Sequence, residues 1–126
     1  MTTRQDMSKT EEHKATHLFP GGKRWNTYSH YLRERFGGRV QKISVHAGFS
    51  CPNRDGSKGR GGCTYCNNDG FVPAYCHPHD NVTTQLEKGV DFFCEKYPTQ
   101  QYLAYFQSYT NTYAPVPVLK KLYAEA

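Results

Sequence analysis

The chain has 126 residues, of which 37% are hydrophobic and 21% charged, and its formal net charge is +5. This length allows one domain at most, and the composition excludes wholesale disorder. No apolar run approaches the roughly 20 residues that span a bilayer. The polar N-terminus also lacks the apolar segment of a secretory signal, so we expect a cytoplasmic protein with no membrane partner.

The first half of the sequence predicts a leader, a helix and a strand. Residues 1–20 are interpreted as a flexible leader, and residues 21–126 as one incomplete domain. Apolar residues recur at helical spacing from Trp25 to Phe36, where two glycines end the pattern. Residues 40–49 alternate between apolar and polar side chains, which predicts a strand.

A long loop separates this strand from a second helix. Residues 50–73 are rich in glycine and contain three cysteines, so we expect a functional loop. Residues 81–97 have helical spacing, with either Asn81 or a capping box from Thr84 to Glu87 at the start. A short apolar run at residues 102–107 predicts a buried strand, and residues 116–126 begin a third helix.

This order of elements predicts an α/β fold. A strand, a helical crossover and a second strand imply a parallel pair. In parallel α/β folds, ligands bind at the carboxyl ends of the strands. The cysteine-containing loop leaves the first strand at that end, where a cofactor would belong.

Three cysteines in the loop have the spacing of metal ligands. Cys63 and Cys66 form a CxxC pair, and Cys51 lies twelve positions before Cys63. Thiolates so arranged can hold an iron–sulfur cluster, and the intervening glycines let the backbone bend around it. A [4Fe–4S] cluster with three protein ligands leaves one iron open to bind a substrate or cofactor.

Other metal and thiol chemistry is left open by spacing alone. A structural zinc site could use the same cysteines, with Cys76, His77 or His79 as the fourth ligand. Cys76 is otherwise an unused thiol, and Cys94 is interpreted as a small core residue. His46 lies opposite the apolar face of the first strand, where it would face a barrel interior or a neighbouring side chain.

Cys51…Cys63-Thr-Tyr-Cys66 resembles the cluster motif of radical S-adenosylmethionine (SAM) enzymes, including the branch of elongator-type tRNA-modifying enzymes. From Arg24 to Ala126 the chain is similar to the YhcC-like proteins, an uncharacterised bacterial family that we expect to belong to the same superfamily. The segments that carry this resemblance are GGRVQKISVHAGFSCPNRDG, GRGGCTYCNN and YLAYFQSYTNTYAP.

The resemblance implies a [4Fe–4S] cluster on Cys51, Cys63 and Cys66 and SAM as the second cofactor. Tyr65 would pack near the adenine of SAM. The loop with Gln107, Ser108 and Thr110 would lie at the methionine amino group, although the Gly-Gly-Glu of many relatives is absent.

The implied activity is reductive cleavage of SAM to a 5′-deoxyadenosyl radical. The electron would come from a donor such as flavodoxin or ferredoxin. The substrate is unknown, and the net charge together with the related branch makes RNA a candidate partner.

The resemblance also implies an incomplete enzyme. A full (β/α) barrel takes roughly 200 residues or more, so we interpret the chain as the N-terminal part of a truncated barrel that is inactive alone. The alternative is a fragment that acts only as a metal-binding module.

Overall fold

The computed structural model describes residues 19–97 and 100–126. After a short 3-10 turn at Pro20–Gly22 come α1 (Tyr28–Phe36), β1 (Val40–Val45), a second 3-10 turn (Asp69–Phe71), α2 (Val82–Cys94), β2 (Gln101–Phe106) and α3 (Val116–Glu125). The predicted order of helices and strands is therefore confirmed. Of the leader predicted for residues 1–20, residues 1–18 lie outside the described residues.

β1 and β2 pair in parallel, as the crossover order predicts. Val40 lies opposite Gln101 at one end of the ladder, and Val45 lies opposite Phe106 at the other. Within the described ranges the sheet has these two strands and the fold contains three α-helices. The fold class is therefore mixed α/β with a parallel sheet.

Side-chain caps place the helix starts later than periodicity suggests. The Thr27 hydroxyl accepts a hydrogen bond from the backbone N–H of His30, so α1 begins at Tyr28, and Trp25 lies outside it. At the other end, Gly37 takes a left-handed conformation and its N–H bonds to the Arg33 carbonyl. The Asn81 side chain caps α2 by accepting from the Thr84 N–H at 2.7 Å.

The predicted first strand, residues 40–49, was too long. β1 ends at Val45 because the backbone N–H and carbonyl of His46 bond to the side chain of Gln85 instead of to a sheet ladder. The expectation that the second strand is buried was also wrong. Its residues are half-buried or exposed, since within the described residues the helices pack mainly on β1.

α2 packs on one face of β1 and forms the core with it. Ile43 and Val45 of β1 are 0% and 1% exposed, and Val82 at the start of α2 is 2% exposed. Burying such aliphatic side chains contributes about 1.5–3 kcal/mol each. None of the described helices is both long and apolar enough to cross a membrane.

A glycine in α2 allows this close packing. A Cβ atom added at Gly89 would lie 2.3 Å from Cγ2 of Ile43 and 3.1 Å from the Tyr75 ring. Ile43 is fully buried and β-branched, so its side chain has little freedom to move away. Gly89 is therefore the point at which helix and strand approach each other most tightly.

A buried glutamine joins α2 to the end of β1. Gln85 is 0% exposed. Its amide oxygen accepts from the His46 N–H at 2.8 Å and from the Cys76 thiol at 2.7 Å, and its NH₂ group donates to the carbonyls of His46 and Asp80. This one side chain satisfies backbone groups that sheet and helix leave unpaired.

We expect Gly89→Ala to destabilise the chain. Alanine in a helix interior is favoured over glycine by about 1 kcal/mol. Overpacking a core, however, costs about 1–3 kcal/mol. Because the added Cβ would lie 2.3 Å from Ile43, we expect a cost at the upper end of that range. Urea unfolding followed by circular dichroism would measure the difference. The control is Gly38→Ala, where nothing lies within 4 Å of the added Cβ; equal midpoints for the two variants would contradict the prediction.

We expect Gln85→Leu to cost about 2–4 kcal/mol of unfolding free energy, because it leaves several buried backbone groups without partners. The same unfolding measurement applies, with Glu87→Leu on the exposed side of α2 as the matched control. That control should stay within about 0.5 kcal/mol of the parent. A Gln85→Leu variant as stable as the Glu87→Leu control would show that these hydrogen bonds contribute nothing net.

Candidate cofactor site

The cysteine loop, residues 51–66, is an ordered structure at the carboxyl end of β1. Its first turn is closed by hydrogen bonds from the N–H groups of Arg54 and Asp55 to the Cys51 carbonyl. Asp55 and Arg60 then pair as a short antiparallel bridge. The Gly62 N–H returns to the Asn53 carbonyl at 2.9 Å, which brings the CxxC pair back towards the start of the loop.

One glycine in this loop is required by geometry. Gly62 has a φ of 84°, and an added Cβ would lie 2.7 Å from Nε of Arg54. In any other residue, the left-handed backbone conformation would be strained and the Cβ atom would clash with the Arg54 guanidinium. Gly62 thus allows the close return of the loop. The predicted role of the glycines in bending around a cluster stays a prediction.

The three predicted cysteine ligands all act electrostatically on Tyr65, but among the described residues they are not grouped closely enough to hold a single metal ion. The hydrogen bond between Tyr65 and Cys63, together with the charge of that thiolate, raises the pKa of the phenol, and Cys66 and Cys51 add smaller electrostatic contributions. All three cysteines are half-buried and none forms a disulfide. The Tyr65 ring itself is 86% exposed, so it is available to a ligand.

Hydrogen-bond donors reach two of the sulfur atoms. Nδ2 of Asn53 donates to Sγ of Cys63 at 3.3 Å. At Cys51, a hydrogen bond from the Thr110 side chain lowers the thiol pKa most, followed by one from the Asn53 backbone and by the charge of Arg54. This environment favours the thiolate form, which is the form that binds metals.

The residues predicted to contact SAM lie in the loop after β2. Each of them contacts a different part of the chain or is buried to a different extent. Thr110 adjoins Cys51, and its N–H bonds to the Ser50 carbonyl at 3.2 Å. The Gln107 N–H bonds to the Val45 carbonyl and so continues the sheet. Ser108 is buried, and both it and Tyr109 have positive φ values, 77° and 61°. Such conformations are uncommon outside glycine and concentrate at functional sites.

The thiol and imidazole groups considered for zinc are placed elsewhere. Cys76 is 4% exposed, donates to Gln85 in the core, and has a pKa raised by burial. His77 and His79 are exposed. Cys94, predicted in the core, is only half-buried and donates to the Asp91 carbonyl. Across residues 19–97 and 100–126, no three His, Cys, Asp or Glu side chains are grouped to hold a metal ion.

A cavity of about 690 Å³ adjoins the cysteine loop at the carboxyl end of β1. Its lining combines a cation and a hydroxyl group with aromatic and apolar side chains: Arg54, Ser50, His46, Tyr109, Phe49, Val72 and Pro78. His46 meets Tyr109 edge to face, with ring centroids 6.0 Å apart. Of the two alternatives for His46, the structure shows the contact with a neighbour, and the barrel interior stays untested.

Sequence reasoning missed three residues of this site. Asn53 and Arg54 lie inside the loop and were treated as ordinary loop and charge positions, and Tyr109 was interpreted as packing. The only sequence signal was the position of Asn53 and Arg54 directly after Cys51-Pro52. The contacts themselves depend on how the loop folds back.

Comparison with known proteins finds relatives in bacteria and archaea. The chain is 42% identical over 99 residues to the uncharacterised protein YtqA of Bacillus subtilis, a match that covers 79% of this chain and 31% of YtqA. It is 43% identical over 101 residues to the protein YhcC of Escherichia coli, covering 80% and 31%. With the uncharacterised protein MJ0486 of Methanocaldococcus jannaschii it shares 29% over 108 residues, covering 84% and 32%.

The chain thus spans about a third of the length of the curated relatives it matches. No family model matches the chain, and no solved structure matches it. The assignment to the radical SAM superfamily is corrected by these findings. They show similarity to the proteins YtqA, YhcC and MJ0486. They do not place the chain in that superfamily.

The hydrogen bonds at Cys51 predict its reactivity in the metal-free chain. A thiol with a lowered pKa is more fully ionised near pH 7, so Cys51 should react with iodoacetamide well before the buried Cys76. Thr110→Val removes the strongest of these hydrogen bonds and should shift the pH profile of Cys51 alkylation upward. Peptide mass spectrometry measures both rates, with Thr64→Val as control; an unshifted Cys51 profile in Thr110→Val would contradict the assignment.

Proposed function

We propose that the chain binds a [4Fe–4S] cluster through Cys51, Cys63 and Cys66 and belongs to a longer protein that cleaves SAM reductively. The observation that carries this proposal is a glycine-rich loop with three half-buried cysteines, none in a disulfide, and with the exposed ring of Tyr65 between Cys63 and Cys66. This group lies at the carboxyl end of a parallel strand pair, where α/β proteins bind cofactors.

The donor set fits such a cluster. Iron–sulfur clusters are held by cysteine thiolates and tuned by hydrogen bonds to the sulfur atoms. The chain provides three thiols, with a side-chain N–H on Cys63 and hydrogen bonds that favour the thiolate at Cys51. Zinc needs ligands that converge on one atom at about 2.0–2.3 Å, whereas each cysteine of a [4Fe–4S] site binds its own iron, so the sulfur atoms can lie further apart.

When bound and reduced, the cluster would supply one electron to the sulfonium of SAM, and the carbon–sulfur bond would break to give methionine and a 5′-deoxyadenosyl radical. The side chains of this chain have separate tasks in that reaction. Asn53 and Thr110 donate hydrogen bonds to the cysteine sulfur atoms. The guanidinium of Arg54 offsets negative charge beside the loop. Tyr65 offers an exposed ring on which an adenine can stack.

The parallel strand pair supports a further part of the proposal. We infer that β1 and β2 are the first strands of a (β/α) barrel whose other units lie in the longer protein. β2 has a free edge within the described residues, and the relatives are about three times as long as the matched region. A protein such as flavodoxin or ferredoxin would deliver the electron, and RNA remains the candidate substrate class because of the net positive charge.

Anaerobic reconstitution with iron and sulfide tests the cluster directly. We expect about four irons per chain, as the cluster stoichiometry requires, and visible absorbance that falls on reduction with dithionite. Cys51→Ala, Cys63→Ala and Cys66→Ala should each abolish this absorbance. Cys94→Ala, which removes a half-buried thiol of α2 away from the loop, is the matched control and should leave it unchanged.

Two results would contradict the proposal. Stoichiometric zinc in anaerobically purified protein, with no iron uptake, would favour a metal-binding module without catalysis. An intact fold that loses its cluster on Cys76→Ala would indicate a four-cysteine site with no open iron. The SAM step is tested separately, by measuring 5′-deoxyadenosine from the reduced chain and from a full-length relative.

A further inference from the structure

Among the residues that the structure describes, the cation in the cavity beside the cysteine loop has no carboxylate partner. Arg54 is half-buried and lines the cavity. In the described part of the chain its side chain donates one hydrogen bond, from an Nη atom to the Cys66 carbonyl at 3.0 Å. The ion pairs among those residues join Lys88 to Asp80 and His30 to Glu34, and neither involves Arg54.

An arginine in this position is prepared for an anion. Withdrawing a charge from water is costly unless it is paired. The guanidinium has five N–H donors in a planar fork that matches a carboxylate or phosphate group. Its contact with the Cys66 carbonyl fixes its position and leaves donors for a ligand. The Tyr109 ring, 5.7 Å from the guanidinium carbon, restricts it from another side.

A second donor lies on the same cavity wall. Nδ1 of His46 accepts a hydrogen bond from the Gly48 N–H at 3.1 Å. In a neutral imidazole the proton is then on Nε2, which makes that atom a donor. Apart from Ser50 and Tyr109, the remaining wall is apolar, from Phe49, Val72 and Pro78. The cavity volume lies within the range of small-molecule sites, about 300–1,000 Å³.

We propose that this cavity binds a small organic anion, with its carboxylate or phosphate on Arg54 and His46 and an apolar or aromatic body against Phe49, Val72 and Pro78. This site does not require the cluster, although its position would place the ligand beside one. The anionic group could belong to a separate substrate or be the carboxylate of SAM. The competing role for Arg54 is that of a counter-ion to the cysteine thiolates alone.

Nuclear magnetic resonance titration of the metal-free, full 126-residue chain tests the site. Phenyl phosphate is the probe and benzyl alcohol its uncharged counterpart. We expect saturable shifts of Arg54 Nε and of the His46 and Tyr109 rings with phenyl phosphate only. Arg54→Gln should weaken this binding about tenfold or more, as the loss of charge-assisted hydrogen bonds predicts. Arg60→Gln, which removes an equal charge from an exposed position of the same loop, should not.

Three results would overturn the proposal: no saturable shifts, equal binding of benzyl alcohol, or equal loss in Arg54→Gln and Arg60→Gln. If Arg54→Gln does not fold, Arg54→Lys keeps the charge but loses the planar fork, and undiminished binding in that variant would also overturn it. The source of the anion is then found by competition on the reconstituted chain. Displacement of phenyl phosphate by SAM, but not by decarboxylated SAM, identifies the SAM carboxylate; displacement by neither identifies a separate ligand.

Discussion

The side-chain amide of Gln85 determines where β1 ends, and the candidate site begins at that point. Its hydrogen bonds to both backbone groups of His46 replace the sheet ladder, so the chain can turn away towards Cys51. The same amide binds Cys76 and the Asp80 carbonyl, which joins the segment before α2 to the strand. The close approach of Gly89 to Ile43 then fixes how deeply the helix lies on the sheet. The cavity and the cysteine loop are therefore built on one tightly specified contact between helix and strand.

The cysteine loop keeps its shape through its own hydrogen bonds. Backbone contacts close it at both ends, and Asn53 contributes three of its groups: a carbonyl to Gly62, a backbone N–H to Cys51 and an amide to Cys63. Because these contacts involve no metal, the loop backbone keeps its shape in the metal-free chain. A site organised in this way loses less conformational entropy when a cofactor binds.

The sequence was sufficient for the order of elements, since periodicity is a local signal. The role of the three cysteines, inferred from CxxC spacing, stays a prediction. The sequence was insufficient for boundaries. The start of α1 depends on the Thr27 cap, and the end of β1 depends on a glutamine 39 positions away from His46. The burial of β2 was wrongly predicted because an apolar run does not show which strand the helices cover. Arg54 and Tyr109 were missed for a similar reason: they meet only when the loops after β1 and β2 fold over the same strand ends.

Arg54 links the two halves of the site electrostatically. Its charge lowers the pKa of Cys51, its Nη donates to the carbonyl of Cys66, and its remaining donors belong to the cavity. An anion in the cavity would neutralise part of that charge and so weaken the support that the guanidinium gives to negative sulfur. In the partly buried, low-dielectric surroundings of the loop this effect is larger than it would be in water. If a cofactor binds the cysteines as proposed, its electronic state would be coupled to the occupancy of the cavity, because the same side chain would serve both.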